Sequence, residues 1–248
     1  MVSALITYLI LVHISSSVVS IYMHRGLGHH YFEFKPILHH IFRFWLWFTC
    51  VHAWPNWQQN YAAKHRKHHM TTDTVDDPHS PYFYTFRELI DFGHKDPKRA
   101  NYITLEEQQK LAPDIQSPND WLERNVYNKH PKLGLALYAG LLTAIFGWPG
   151  LILGLFNFFC VHALFVFFGN YLFHKVGFNY AQKGIVIAGK SKIFFPWGIF
   201  SGGEELHTHH HNDPSLPYHS RNWWEFDIGW MYIRILMFFG LMSIYTKN

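Results

Sequence analysis

The chain has 248 residues with 20 His, 10 Trp, 14 Tyr and 23 Phe, only 15% charged residues and a formal net charge of +4. Aromatics at 19% beside so few charges suit a polypeptide that meets lipid, where Trp and Tyr gather at the interfaces. A mean hydropathy of −0.07 excludes a bundle that is apolar from end to end, so a membrane base carrying a polar cap is expected. Cys50 and Cys160 both lie in apolar surroundings, which argues for reduced, structural thiols and against a disulfide framework. Mild basicity fits attraction to anionic headgroups. Its sharper reading is a site for an anionic, phosphate-bearing substrate. No nucleic-acid partner is expected.

Residues 1–23 contain no charge and are long enough to cross a bilayer as a helix. This run is too long for a signal h-region and lacks a basic n-region, so it does not read as a cleavable signal. Its lone His13 reads as a packed residue. The run ends at Met23-His24-Arg25-Gly26-Leu27-Gly28-His29. His24 and His29 are five apart, which on an ideal α-helix takes them off a common face. The two glycines are expected to turn the chain so that both rings point inward.

Residues 36–54 are apolar but interrupted by Arg43. The uncharged part is too short to span, so a re-entrant or interfacial segment is expected. Parity agrees: a crossing here would leave His24 and His65 on opposite sides. Then comes Lys64-His65-Arg66-Lys67-His68-His69, with imidazoles at i, i+3 and i+4 on one helical face. Residues 55–132 read as a polar cap. Residues 133–174 carry no Asp, Glu, Lys or Arg, and Gly147-Trp148-Pro149-Gly150 divides them into two spanning arms, about 133–147 and 151–173. That hairpin returns Asn170 and His174 to the histidine side.

The cap resumes over 175–248 and repeats the ligand spacing at His207, His210 and His211. A C-terminal apolar helix is expected from Ile228 to Tyr245, lying on the membrane or cap because Arg234 sits in its middle. No Lys or Arg precedes Arg25 or interrupts 133–174, so all basic residues fall on the histidine side, which the positive-inside rule makes cytoplasmic.

Eight clustered histidines plus His174 exceed what one metal binds, which points to a two-metal site. Imidazole suits Zn, Cu, Fe and Ni alike. A zinc hydrolase needs fewer ligands and a water-filled cleft. Placement against the membrane suggests a lipid-like substrate and redox chemistry at an unactivated C–H bond. Lys64, Arg66 and Lys67 could meet a phosphate-bearing headgroup, or each form part of a solvated basic face.

MHRGLGH ending at His29, KHRKHH ending at His69, GEELHTHHH ending at His211, DTVDDPHSP from Asp73, GNYLFH from Gly169 and WWEFDIGWMYIRIL from Trp223 run in one order along nearly the whole chain. In these motifs the chain resembles the membrane fatty-acid desaturases, specifically the bacterial branch of the acyl-CoA (stearoyl-CoA type) desaturases. The resemblance implies an all-α integral membrane helical bundle with a cytoplasmic helical cap, as a single domain over 1–248. It implies two Fe ions held by His24, His29, His65, His68, His69, His174, His207, His210 and His211, with Asn170 reaching one iron through water. It also implies O2 as co-substrate, a fatty acyl substrate such as an acyl thioester, and membrane lipid around the base. An external electron donor of ferredoxin or cytochrome type, with its reductase, is implied too. The implied location is the bacterial inner membrane, with the active site facing the cytoplasm.

Asp76, Asp77, Glu204 and Glu205 border the clusters and could accept ring N–H bonds; solvated surface carboxylates are the plain alternative. His30 and His209 are set aside as ligands, as are His39, His40, His52, His79, His94, His130, His162 and His219. Tyr61 stands where the family usually has Trp, and Thr208 where it usually has Asn. A lipid hydroxylase or oxidase on the same scaffold is the competing enzyme. A non-catalytic metal-binding membrane protein is the competing class, but it would place ligands inside the spans.

Overall fold

The computed structural model describes residues 1–50, 56–90, 102–177, 190–195 and 197–246. Helix α1 (Val2–Val18) is built almost wholly from apolar and small residues. It continues unbroken into a widened helical segment, Val19–Gly28. Together these 27 residues form the one helix among the described residues that is by itself long and apolar enough to cross a bilayer. A short strand β1 (Phe32–Phe34) follows.

Helix α2 (Pro36–Cys50) opens on proline, whose fixed φ suits a first helical turn. Arg43 in its middle is buried, and its guanidinium meets Asp120 at 2.5 Å and Glu123 at 3.0 Å. An arginine can sink into an apolar helix here because two carboxylates about eighty residues away neutralise it. Near the end of α2, Thr49 accepts a 3.3 Å hydrogen bond from Ser15 at the inner end of α1. The last part of the expected re-entrant segment, 51–54, lies outside the described residues.

Helix α3 (Trp57–Thr71) packs on the widened end of α1 and on α5 (Leu105–Leu111), with α4 (Phe86–Ile90) between them in sequence. Helix α5 starts with a reciprocal Thr104–Glu107 capping box. Helices α6 (Leu133–Phe146) and α7 (Trp148–Val166) form the hairpin expected from the Gly-Trp-Pro-Gly turn, with Gly147 at φ +66°. They approach so closely that a β-carbon on Gly150 would lie 1.9 Å from the Leu142 carbonyl oxygen. Helix α7 runs on through a second widened segment, Phe167–Leu172, into α8 (Phe173–Lys175).

The stretch Trp148–Cys160 is bent by 53° against Ala163–Lys175; taken together the pair has bilayer length. The 14 residues of α6 rise only about 21 Å, short of the ~30 Å hydrocarbon core, so this arm of the expected hairpin does not reach a full span by length.

Strand β2 (Trp197–Gly198) pairs in parallel with β3 (Phe226–Asp227). Helix α9 (His207–Asn212) lies between them in sequence, and α10 (Ile228–Phe238) starts on Asp227, whose carboxylate accepts from the Trp230 N–H. The C-terminal helix expected to reach Tyr245 stops at Phe238. Gly240, at φ +67°, turns the chain, and β4 (Met242–Ile244) pairs antiparallel with β1. The chain is mostly helical, as expected, with two small two-stranded sheets added among the described residues.

The core gathers Tyr22, Phe32, Leu46, Trp57, Ile103 and Ile233 between α1, α2, α3 and α10. On α1, α6 and α7, Leu9, Ile10, Leu141, Ile145, Leu155 and Phe159 are exposed.

Candidate metal centre

Four pieces of backbone deliver nine imidazoles to one place. The widened end of α1 carries His24 and closes on His29, whose N–H donates to the His24 carbonyl at 3.1 Å. That i→i+5 bond widens the turn and brings residues five apart onto one side of the helix. The expected turn at the glycines is thus replaced by a wide helix, and neither Gly26 nor Gly28 has a positive φ. Gly28 instead makes room: a β-carbon there would stand 2.6 Å from Cδ2 of His65.

Each i, i+3, i+4 triplet divides its rings. His24, His29, His65, His69 and His210 form one group; His68, His174, His207 and His211 form the other, with the ligand atoms of each group within 4.8 Å of one another. On α3 the i and i+4 rings go to the first group and the i+3 ring to the second. On α9 the assignment is reversed. Residues i+3 and i+4 diverge by about 100° around a helix, so one triplet serves two neighbouring centres.

In the first group, Nε2–Nε2 separations are 2.8 Å (His65–His29), 3.1 Å (His69–His65), 3.0 Å (His210–His69) and 3.0 Å (His24–His210). In the second they are 3.3 Å (His68–His211) and 3.1 Å (His211–His207). Two imidazole nitrogens at right angles about an ion, each about 2.1 Å from it, stand ~3.0 Å apart. A neutral imidazole carries one N–H, so a ring of mutually facing nitrogens has too few protons to bond itself together.

Carboxylates stand at the outer nitrogens of three of the nine rings. Nδ1 of His68 donates to Asp77 at 2.8 and 2.9 Å, and Nδ1 of His174 to Asp73 at 3.1 Å. Glu204 lies 2.7 Å from Nδ1 of His24. On His68 and His174, with the Nδ1 proton engaged, the Nε2 lone pair faces inward. Burial first, then neighbouring imidazoles, holds His29, His65, His207, His210 and His211 well below the ordinary histidine value, and brings His69 down to about 2. These rings are neutral at pH 7, the form in which imidazole binds a metal. The donor set fits a pair of transition-metal ions.

The remaining candidates separate clearly. Asn170 lines the space beside the second group, with Nδ2 at 3.4 Å from Nδ1 of His79. Asp76 is exposed. Glu205 is buried, and its carboxylate accepts from the backbone of Phe200 and Ser201, not from a histidine. His209 turns away to Glu225 at 2.7 Å, as its position on α9 requires. His30 pairs with Asp114, and His13 bonds the Tyr232 hydroxyl. His52 and His94 lie outside the described residues, as does the His162 side chain.

Asp73, in the same motif as Asp77, has no sequence signal that ties it to a histidine. Its partner His174 is about a hundred residues away, and no local spacing signals that. His219 was also set aside, yet its ring packs 4.6 Å from that of His210 and groups with His24 and Glu204. The basic residues beside the second cluster are occupied: Arg66 is paired with Asp114, Lys67 with Glu107, and Lys64 is buried.

Against both groups lies a cavity of about 140 Å³. Val19, Met23, Phe165, Val166, Phe168 and Phe173 give it apolar walls, and Ser16, Ser20 and Ser201 a small polar edge. An apolar cavity of about 150 Å³ takes up benzene, so this one holds a few methylenes of a chain, not a whole acyl tail.

The family model described as "Fatty acid desaturase" matches residues 2–222. The chain belongs to the fatty acid desaturase family. It is 28% identical over 229 residues to acyl-CoA 5-desaturase AL21 of Anemone leveillei, covering 89% of this chain and 64% of that protein. It is 27% identical over 230 residues to the sn-1 stearoyl-lipid 9-desaturase of Synechocystis sp., covering 90% and 65%. It is 26% identical over 229 residues to delta-9 acyl-lipid desaturase 1 of Arabidopsis thaliana, covering 91% and 69%. The chain thus spans just under two thirds of the length of the first two of these family members.

Proposed function

We propose that the chain is an oxygen-dependent acyl desaturase whose two histidine groups each hold an iron. The observation that carries this reading is the convergence of nine imidazoles, backed by carboxylates, against a small apolar cavity. The overall change is balanced: two hydrogens leave adjacent methylenes, and with O2, two electrons and two protons they yield a double bond and two waters. When bound, the irons supply the oxidising power for C–H removal, with electrons from an external ferredoxin- or cytochrome-type donor and its reductase.

The chain's own residues supply position. Asp73, Asp77 and Glu204 orient imidazoles, so that removing one loosens a ligand without deleting it. Phe165, Phe168 and Phe173 exclude water and fix which methylene lies beside the histidines. Asn170, which lines the cavity, would reach the second group through a water.

In this reading residues 1–23 and the α6–α7 hairpin enter the lipid, His24 and His29 sit at its surface, and α2 is re-entrant. The histidine-bearing parts 55–132 and 175–248 face the cytoplasm. The exposed aliphatic faces of α1, α6 and α7 support it, because contiguous apolar surface of this kind is covered in a working protein.

The test is metal analysis joined to product analysis. Protein loaded anaerobically with iron is expected to carry close to two irons per chain. With a reductase system it converts a saturated acyl thioester or acyl lipid to the unsaturated form. Iron uptake unchanged by His68→Ala would overturn the site. A hydroxylated product in place of an alkene would assign the competing oxidase chemistry.

A further inference from the structure

Carboxylates serve the outer nitrogens of His24, His68 and His174, but two other rings have none in contact. Nδ1 of His207 and Nδ1 of His210 are both buried without a hydrogen-bond partner among the described residues. For His207, the Glu204 carboxylate stands 4.0 Å away. His210 packs instead against the ring of His219, with 4.6 Å between centroids and a tilt of 42°. His219 is fully buried, and its Nε2 likewise has no partner among the described residues.

Proton counting gives these two nitrogens opposite characters. Nε2 of His210 points into the first group, 3.0 Å from Nε2 of both His69 and His24. A metal held there takes the Nε2 lone pair, so the single proton of the neutral ring sits on Nδ1. On His219 the proton goes the other way. Nη2 of Arg25 has two hydrogens, and the Gly202 carbonyl at 2.9 Å and the Asp227 carboxylate at 3.0 Å take them ahead of His219 Nδ1 at 3.3 Å. Nδ1 of His219 then keeps its own proton for the Gly203 carbonyl at 3.2 Å, and Nε2 is left as a bare lone pair. A buried donor without an acceptor lies beside a buried acceptor without a donor, and each is unfavourable until it is paired.

The His219 ring is held from outside. Its backbone N–H donates to Asp227 at 2.8 Å, and the same carboxylate binds Arg25 and accepts the Trp230 N–H at the start of α10. Arg25 follows His24 directly, so His219 is anchored to the element that carries the first ligands of the first group. Backbone and Nδ1 are engaged, and Nε2 is the nitrogen left to act.

We propose that His219 is a positioning residue whose Nε2 accepts the Nδ1 proton of His210 when the first group holds a metal. It does for His210 what Asp77 does for His68. The inference rests on the two-metal part of the reading above and adds to the nine rings a residue that binds no metal itself.

The test loads wild type, His219→Phe and His219→Gln with iron-57 and reads each by chelator competition and by Mössbauer spectroscopy, without substrate. Phenylalanine keeps a flat ring but no acceptor, whereas glutamine restores an acceptor. In His219→Phe one of the two irons is expected to be lost about ten- to a hundredfold more readily. One spectral component changes with it while the other keeps its wild-type parameters, and His219→Gln recovers both readouts. If the phenylalanine variant does not fold, His219→Leu, which also lacks an acceptor, carries the same expectation. Wild-type retention and spectrum in the acceptor-free variant overturn the inference. So does equal loosening of both irons, or a glutamine variant that rescues neither readout, since either outcome marks a packing role.

Product analysis on the same preparations separates this claim from the acyl chemistry. Two irons, one of them dependent on His219, with no alkene formed under reducing conditions sink the desaturase reading and leave the role of His219. Alkene formation with iron binding indifferent to His219→Phe sinks that role and leaves the desaturase. A wild-type protein that takes up no iron overturns both.

Discussion

Gly28→Ala adds a single methyl group, and the structure says where it goes. The new carbon would lie 2.6 Å from Cδ2 and 3.2 Å from Cγ of His65. Ordinary contact begins near 3.4 Å, so the ring must retreat by about 0.8 Å. A binding constellation tolerates about 0.5 Å of displacement before it loses its geometry. The backbone itself does not object, since the φ of Gly28 is not positive, and a helical Gly→Ala change gains about 1 kcal/mol of backbone entropy. Overpacking of a tight site costs about 1–3 kcal/mol. The two terms nearly offset in global stability, while the displacement falls on a ring 2.8 Å from His29 and 3.1 Å from His69.

The expected result is an unfolding midpoint within a few degrees of wild type together with loss of at least half the bound iron. The assay is thermal unfolding in detergent beside elemental analysis of the same preparation. Gly140→Ala is the control, because nothing lies within 4 Å of its added carbon. Full iron content in Gly28→Ala would refute the reasoning, since it would mean that the His65 ring moves without consequence for the centre.

Asp73→Asn leaves His174 without its anionic partner and is expected to weaken metal retention roughly ten- to a hundredfold. Asp76→Asn, at an exposed position, should match wild type in the same chelator-competition measurement. Arg43→Ala strands the buried carboxylate of Glu123 and is expected to cost on the order of 3 kcal/mol in denaturant unfolding. Replacing both with methionine should restore most of it, and a single variant of wild-type stability would show the pair to be dispensable. Metal-free protein should be most stable above about pH 7 and weaken toward pH 5. Buried imidazoles such as His65 and His207 stay neutral in the fold, while the unfolded chain takes up protons near 6.5, so acid favours unfolding. A midpoint that rises on acidification would contradict this sign.

The parts of the site legible in sequence were those set by helical periodicity. His65, His68, His69 and His207, His210, His211 fall on α3 and α9, where the i, i+3, i+4 spacing puts them on neighbouring faces of a helix. What spacing could not say was that each triplet straddles two groups, because that depends on how α3 and α9 face each other. His24 and His29 defeated an α-helical rule because their helix is widened, and nothing in MHRGLGH separates a wide helix from a glycine turn. Asp77 was found through adjacency to its cluster, whereas Asp73 serves His174 across a long loop. Arg43 marked the limit of a spanning segment in sequence, but its burial depends on Asp120 and Glu123, which lie far along the chain. The apolar run to Tyr245 reads as helix throughout, yet Gly240 at φ +67° turns the chain just after Phe238.

The pairing of β4 with β1 bears on how the molecule is made. Met242–Ile244 lies beside Phe32–Phe34, and the Tyr245 N–H closes on the Tyr31 carbonyl at 2.8 Å, two residues beyond His29. The strand that follows His24 and His29 therefore finds its partner only after residues 242–244 have been made. Until then its edge stands open.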